Sequence, residues 1–160
     1  MRIGKMTLVY ACILSLMLGT SVILSLALAS TYKASVRFSP QTYILDTDPP
    51  EFWNATIGLT HGYKGDQIDT GTIELSDPGA PSAPLSPDGT AIVKGKLLAW
   101  FDGDAVYSMI WLKITHLGLL TPGRYRLPFR ITLNTLDETA FEGIGYITVI
   151  VPEPPPPPPP

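Results

Sequence analysis

Apolar and polar residues alternate with a period of two along most of the chain after Ser30, a pattern typical of half-buried β-strands. Val36 and Phe38 alternate with polar neighbours until Pro40 interrupts the run. Residues 53–60 place four apolar side chains on one face and polar or small ones on the other. The pattern predicts strands at 35–39, 42–46, 53–60, 70–75 and 91–101.

A helix is predicted directly after residue 101, because the spacing of apolar residues changes there from two to three and four. Asp102 is suited to cap its N-terminus, and Asp104 lies in the first turn, where the helix dipole favours a carboxylate. Gly118 is a stop signal. A strand over part of 111–116 stays open as an alternative. The helical spacing is carried by Val106, Met109, Ile110, Lys113, Ile114 and Leu117.

The last two predicted strands, 124–136 and 139–151, form a hairpin around a short acidic turn. The first of them has one apolar face for the core, and its other face carries Arg124, Arg126 and Arg130. Many short strands with a single helix indicate a mainly β protein. The specific fold prediction is an immunoglobulin- or cohesin-like antiparallel β-sandwich with one short helix.

The first 29 residues combine a basic start, Arg2 and Lys5, with an uncharged apolar run over 6–29. This is the organisation of an export signal, and the small residue Ala29 predicts cleavage before Ser30. The run also reaches the roughly 20 residues that span a bilayer. An uncleaved N-terminal hydrophobic helix that anchors the protein is therefore an equal alternative, and a pilin-type leader is a third. Export by either of the first two routes places the rest of the chain outside the membrane.

Prolines set off two further segments. The loop 76–89 has a proline at every third position from Pro78, a spacing that suits the three residues per turn of polyproline II. After Val151 come Pro152, Glu153 and seven consecutive prolines, which are expected to extend as a semi-rigid spacer. The predicted organisation is a leader at 1–29, one β-domain at 30–151 and a polyproline tail at 152–160.

Charge and cysteine content exclude several classes of function. The leader holds two of the 11 basic residues and none of the 14 acidic ones, so the exported part is acidic and offers no phosphate-binding stripe. Nucleic acid is therefore not an expected partner. Cys12, the only cysteine, lies in the leader, so the exported part has neither a disulfide nor a thiolate metal site.

Four groups of short motifs occur in order over residues 36–151. Together they resemble a β-sandwich module found on archaeal and some bacterial cell-surface and secreted multidomain proteins. The specificity comes from the ordered series, since each motif alone is short. The matching segments are 38–42 for the opening x-P-x-T-L, Gly62-Tyr63 with 67–75 for GY and DIDxSTIxL, 98–106 for VxFDRxAV, and 136–143 with 147–150 for LxDGTxFEG and IxVI.

The resemblance implies a structural or adhesive surface protein without a shared enzymatic activity. Two differences between this chain and the family pattern limit which site residues the resemblance implies. Members often have an acidic D-x-D-x-D-G stretch before the FDR strand, which suits calcium, and only Asp88-Gly89 stands there in this chain. Gly103 takes the place of the FDR arginine. No metal site and no cofactor are therefore expected.

Few residues are candidates for chemistry, and no catalytic residue is predicted. His61 and His116 are the only histidines, whereas a metal site or a nucleophile relay needs several converging partners. The main acidic residues are explained more simply as caps, turns and surface charge, with calcium binding as the alternative. They are Asp66, Asp69, Asp102 and Asp104.

A modification site and a charged face are the remaining signals. Asn54-Ala55-Thr56 is an N-glycosylation sequon on the predicted polar face of its strand, so a host that glycosylates exported proteins is expected to modify Asn54. The three arginines of the hairpin are predicted to form a solvated outer face paired with acids such as Glu142. Docking of an acidic partner there is the alternative.

The sequence therefore predicts a non-enzymatic extracellular or cell-surface structural or adhesion module. Its expected partners are other cell-envelope proteins or copies of itself. One alternative is the subunit of an extracellular filament assembled by donor-strand exchange through the mature N-terminal segment. The donor strand would comprise Ser35, Val36, Arg37 and Phe38.

A second alternative is a carbohydrate-binding module of a secreted hydrolase, because exposed aromatic side chains commonly form glycan platforms. Trp53 and Trp111 are assigned to the core, which leaves Trp100 as the candidate glycan contact. Contact with a membrane is expected only through residues 6–29, if the leader stays uncleaved.

Overall fold

Eight β-strands and one α-helix make up most of the chain that the computed structural model describes, which is residues 30–79 and 82–154. The protein is mainly β, as the alternation predicts. The predicted leader and N-terminal helix at 1–29 and the prolines 155–160 lie outside the described residues. The strands are β1 (Tyr32–Ser39), β2 (Thr42–Ile44), β3 (Phe52–Leu59), β4 (Ile68–Ser76), β5 (Gly89–Val93), β6 (Lys96–Asp102), β7 (Gly123–Thr135) and β8 (Ala140–Val151), and the helix is α1 (Gly103–His116).

The strands are hydrogen-bonded in the order β4-β7-β8-β1-β3-β6-β5, and β2 is added beside β8. Strand β1 joins two groups of strands in this order. Its first residues, Tyr32 and Lys33, pair in parallel with Phe141 and Glu142 of β8. Its remainder, 34–39, pairs antiparallel with β3. The β7–β8 hairpin, predicted from its turn and alternation, is confirmed over almost its whole length.

A short connection at Pro40 carries the chain from β1 to β2. The Ser39–Pro40 peptide bond is cis, and the carbonyl oxygen of Pro40 accepts a hydrogen bond of 3.0 Å from the indole nitrogen of Trp53. Beyond this point β2 pairs in parallel with 148–150 of β8. Strand β8 therefore pairs with β7 along one edge. Along its other edge it pairs first with β1 and then with β2.

The apolar faces of the strands form one core, which α1 also covers. Trp53, Ala55 and Ile57 are fully buried, as the alternation in β3 predicts. Helix α1 packs on this core with the apolar face predicted from the three- and four-residue spacing, and Ile110 and Ile114 of this face are buried. The assignment of Trp111 to the core is wrong, because Trp111 lies on the opposite face of the helix and is 41% exposed.

Two sequence predictions about connections are corrected by the structure. The strand predicted at 91–101 is two strands, β5 and β6, separated by Lys94-Gly95. Both turn residues have positive φ, as a type I′ hairpin turn requires. The spacing of prolines predicts a loop without strand pairing at 76–89, but Leu85 exchanges two backbone hydrogen bonds of 2.8 Å with Leu75 of β4. Leu85 can do so because, unlike its proline neighbours, it has a backbone N–H.

The N-terminal cap of α1 is confirmed, since the Asp102 carboxylate accepts a hydrogen bond of 2.8 Å from the backbone N–H of Ala105. Asp102→Ala is therefore expected to lower the free energy of unfolding by about 1 kcal/mol, within a range of roughly 0.5–2 kcal/mol. Chemical denaturation measures this. Asp104→Ala is the control, because it removes a carboxylate that acts only on the helix dipole and should cost less. Equal losses in both variants would contradict a capping role.

Candidate functional site

A polar cleft of about 260 Å³ opens along the edge of β8 that pairs first with β1 and then with β2. The pairing with β1 ends at Glu142 and the pairing with β2 begins at Thr148. Residues 143–147 between them have no strand partner on this side among the described residues. The cleft lies at this interruption and is lined by Val36, Arg37, Phe38, Gln41, Thr42, Arg126, Tyr146 and Thr148.

Hydrogen-bond donors and the ring of Tyr146 dominate the chemistry at the rim of this cleft. The guanidinium of Arg126 lies 4.0 Å from the ring centroid of Tyr146, a cation–π contact that holds both side chains at the rim. The ion pairs within the described residues join other groups, so neither Arg126 nor Arg37 has a carboxylate partner there. Such a cleft can bind a carboxylate or another anionic group, with Gln41 and Thr42 as additional polar contacts.

Two glycines of β8 explain how β1 can pass so close to the cleft. A Cβ at Gly143 would lie 2.5 Å from the carbonyl oxygen of Ala34, and one at Gly145 would lie 2.5 Å from the ring of Phe38 and 2.8 Å from Val36. Only glycine leaves room for the β1 side chains here. Sequence reasoning missed this cleft, although the alternating Gly143-x-Gly145 inside a strand is the signal for a close approach of another segment.

Tyr63 contacts the turn between β7 and β8, although the two segments are far apart in sequence. The Tyr63 hydroxyl donates a hydrogen bond of 2.9 Å to the carboxylate of Asp137 and lies 3.1 Å from the Thr139 hydroxyl. Its ring packs edge-on against Phe141, with the centroids 5.3 Å apart. The Thr135 hydroxyl also donates to Asp137. These contacts fix the β7–β8 turn.

The turn makes stability sensitive to acid, because hydrogen bonds from Thr135, Tyr63 and Thr139 lower the pKa of Asp137 from 3.8 to about 2. A folded-state pKa below the unfolded one stabilises the fold above about pH 4, and this contribution is lost as the pH falls toward 2. Asp137→Asn is expected to flatten the pH dependence of the melting temperature in that window. Glu138→Gln, in the same turn, is the control. A wild-type profile in Asp137→Asn would contradict this role.

The histidines and the predicted acidic residues do not converge on one site. His61 lies in the turn after β3 with its ring 4.6 Å from that of Tyr32, and His116 ends α1. Asp102 caps the helix, and the Asp69 carboxylate accepts a hydrogen bond from the Gly71 N–H within β4. Within the ranges that the structure describes, no three His, Cys, Asp or Glu side chains are grouped as metal ligands.

Asn54 lies in the middle of β3, half-buried, between Ser39 of β1 and Trp100 of β6. Its expected glycosylation stays a prediction, and the predicted polar face of its strand is the observed one. Trp100 is also half-buried, and its indole covers Gly89, where a Cβ would lie only 2.3 Å from the ring. The indole therefore packs on its own sheet over part of its surface. The donor-strand residues 35–38 lie in β1, paired with β3 of the same chain.

The three arginines of β7 lie on one face, as the alternation predicts, but their expected partner is engaged elsewhere. Glu142 forms an ion pair of 2.6 Å with Lys33. The hydrogen bond and charge of Lys33 lower the pKa of Glu142, with a smaller contribution from Arg130. Arg124 and Arg126 are exposed. Arg130 is half-buried, and its Nε has no hydrogen-bond partner among the described residues.

A second ion pair is buried beneath α1, between Lys113 and Asp77. Both side chains are nearly inaccessible, with 5% and 0% of their surface exposed. The Lys113 ammonium also lies 5.2 Å from the ring centroid of Phe129. The sequence indicates only the lysine of this ion pair, because Lys113 occupies the apolar face of the predicted helix. Asp77 could not be identified from the sequence, because nothing in the proline-rich loop marks it as buried.

No protein-family model matches this chain, and no curated protein sequence matches it.

Proposed function

We propose that this protein is a non-enzymatic structural or adhesion module of the cell surface, built as an immunoglobulin-like β-sandwich. The strand order carries the proposal. Strands β1-β3-β6-β5 follow the A-B-E-D order of immunoglobulin constant-type domains, and β4-β7-β8 follow C-F-G. The short β2, added in parallel to β8, corresponds to a continuation of the first strand onto the second sheet. Domains with this architecture commonly serve as cell-surface modules.

The cleft beside β8 supplies a binding surface for such a module. Its arginines favour an anionic partner, such as an acidic segment of another envelope protein or an acidic glycan. The exposed edge of β5 is a second surface, because its Ile92 and Val93 are 48% exposed and no described strand pairs with its outer edge.

Labelling of intact host cells with a membrane-impermeant amine reagent tests the surface location. Lys33, Lys94 and Lys96 are exposed in the folded domain and are expected to be labelled before lysis. Lys113 is buried, so it is expected to stay unlabelled while the domain is folded. Labelling of the exposed lysines only after lysis would overturn the proposal.

Assembly into a filament by exchange of β1 is the second candidate. The close packing of β1 against the glycines of β8 favours it. Phe38 is fully buried, and Val36 and Phe38 lie against Gly143 and Gly145. The β1 strand of a neighbouring copy could pack against the same glycines of β8 and make the same contacts.

A disulfide trap separates the two candidates. Ser35 and Gly58 are directly paired, and a Cβ at Gly58 would lie 2.6 Å from the Ser35 Oγ, so cysteines at both positions suit a disulfide. In the exported chain, which lacks cysteine, oxidation of Ser35→Cys/Gly58→Cys gives a covalent ladder on non-reducing gels if β1 is exchanged. Monomers with an internal disulfide would exclude exchange. The single variants are the controls for non-specific dimers.

A further inference from the structure

The buried pair of Lys113 and Asp77 has an unusual distribution of hydrogen bonds. The Lys113 Nζ donates to Asp77 Oδ1 and, at 3.0 Å, to the carbonyl oxygen of Pro128. Asp77 Oδ1 also accepts a hydrogen bond of 2.9 Å from the backbone N–H of Gly79. Asp77 Oδ2 is buried and has no hydrogen-bond partner among the described residues. Among the described residues, one oxygen of the carboxylate therefore has two hydrogen-bond partners and the other has none.

Burial makes this arrangement costly as an ion pair. A buried carboxylate oxygen without a partner keeps most of its desolvation penalty, and the attraction within a buried pair often fails to offset the desolvation of both charges. An uncharged product that leaves no oxygen unpaired would remove both costs. The two reacting groups are already in contact, which is the condition for an effectively unimolecular reaction.

We propose that Lys113 and Asp77 condense into an amide, an intramolecular isopeptide bond between α1 and the end of β4. The lone pair of the Lys113 nitrogen attacks Asp77 Cγ after one proton has moved from nitrogen to the carboxylate. A C–N bond forms, a second proton moves from nitrogen to the departing oxygen, and the C–O bond to Oδ2 breaks. One water molecule leaves, and the reaction needs no oxidant or other reactant.

The surroundings fit the product better than the ion pair. Oδ1 remains as the amide oxygen and keeps the hydrogen bond from Gly79. The amide nitrogen retains one hydrogen, which is placed to donate to the Pro128 carbonyl. Oδ2, which has no hydrogen-bond partner within residues 30–79 and 82–154, is the oxygen that leaves. The face of Phe129 and the apolar side of α1 keep bulk water away from the bond.

The mass of the denatured protein tests the proposal directly. The folded, purified exported domain is expected to be lighter than its sequence by one water molecule. Digestion with trypsin should then leave residues 65–94 joined to 97–124, because a lysine that is acylated at Nζ is not cleaved. An unchanged mass after prolonged incubation of the folded protein would overturn the proposal, whatever the location of the protein in the cell.

Matched variants show which groups react. Lys113→Arg keeps the charge but cannot form this amide, so its mass should equal its sequence mass. Asp77→Asn supplies an amide in place of the acid, and a cross-link formed there would release ammonia instead of water. The exposed pair Lys33–Glu142 is the internal control, since its groups are also in contact but remain in water. Loss of water in the wild type that persists in Lys113→Arg would place the modification elsewhere and overturn the assignment.

Discussion

Relative to protein in which Lys113 and Asp77 are still an ion pair, Asp77→Ala is expected to lower the free energy of unfolding by about 3–5 kcal/mol, because it leaves the Lys113 ammonium buried without its anionic partner. The side chain of Lys113 is only 5% exposed, so it cannot reach water without moving α1. The Pro128 carbonyl stays as its only hydrogen-bond acceptor from the original site. Urea denaturation, followed by tryptophan fluorescence, measures the loss.

The double variant Asp77→Leu/Lys113→Met separates the charge from the packing. It replaces both ionic groups with apolar ones of similar size, and it should recover much of the stability that the single substitution loses. Lys33→Ala, which breaks the exposed ion pair with Glu142, is the surface control and should cost less than about 1 kcal/mol. If Asp77→Ala and Lys33→Ala lost the same small amount, removal of Asp77 would not leave a buried, unpaired charge on Lys113.

Gly103→Ala is expected to destabilise the protein by about 3 kcal/mol, at the upper end of the cost of overpacking. A Cβ at this position would lie 1.6 Å from the carbonyl oxygen of Pro50 and 3.0 Å from that of Glu51. Both obstacles are backbone atoms, and Gly103 N–H donates a hydrogen bond of 2.9 Å to Glu51. The clash therefore cannot be relieved by a rotamer change, and the start of α1 or the segment before β3 must move.

Gly71→Ala is the matched control for this substitution. A Cβ at Gly71 meets only the Asp69 carboxylate, at 3.5 Å, which is an ordinary contact, so the stability should change by no more than about 0.5 kcal/mol. Similar midpoints of thermal unfolding in the two variants would refute the clash at Gly103. The same geometry explains why glycine suits position 103, since any side chain there would meet Pro50.

Local patterns predict the elements of this fold, and they fail where two distant segments decide the outcome. The alternation in β3 and the cap at Asp102 follow from neighbouring residues, so they could be derived from sequence. The separation of β5 from β6 could not, because apolar residues such as Ile92 face solvent and only the Lys94-Gly95 turn marks the break. The prediction for Trp111 is wrong because it rested on the size of an apolar side chain, whereas Trp111 lies outside the three- and four-residue spacing that marks the buried face of the helix.

The cleft and the buried ion pair depend on contacts across the fold. Asp77 and Lys113 are far apart in sequence, and only their packing beneath α1 brings them together. The interruption beside β8 exists because β1 leaves it for β3 before β2 arrives. Neither property is encoded in the residues of one segment, although a lysine in an apolar stripe and two alternating glycines mark the places where such contacts occur.

The parallel pairing of β1 and β2 with β8 determines how the domain responds to a pulling force. Tension applied between residues 31 and 152 draws β1 backward and β8 forward, along the strand axis. The two ends of β8, Ala140 and Val151, lie about 36 Å apart at roughly 3.3 Å per residue. The hydrogen bonds at 32–33 and 42–44 are then loaded together in shear. The domain is thus expected to yield at a high force in a single step, whereas a hairpin pulled from its open end unzips one bond at a time.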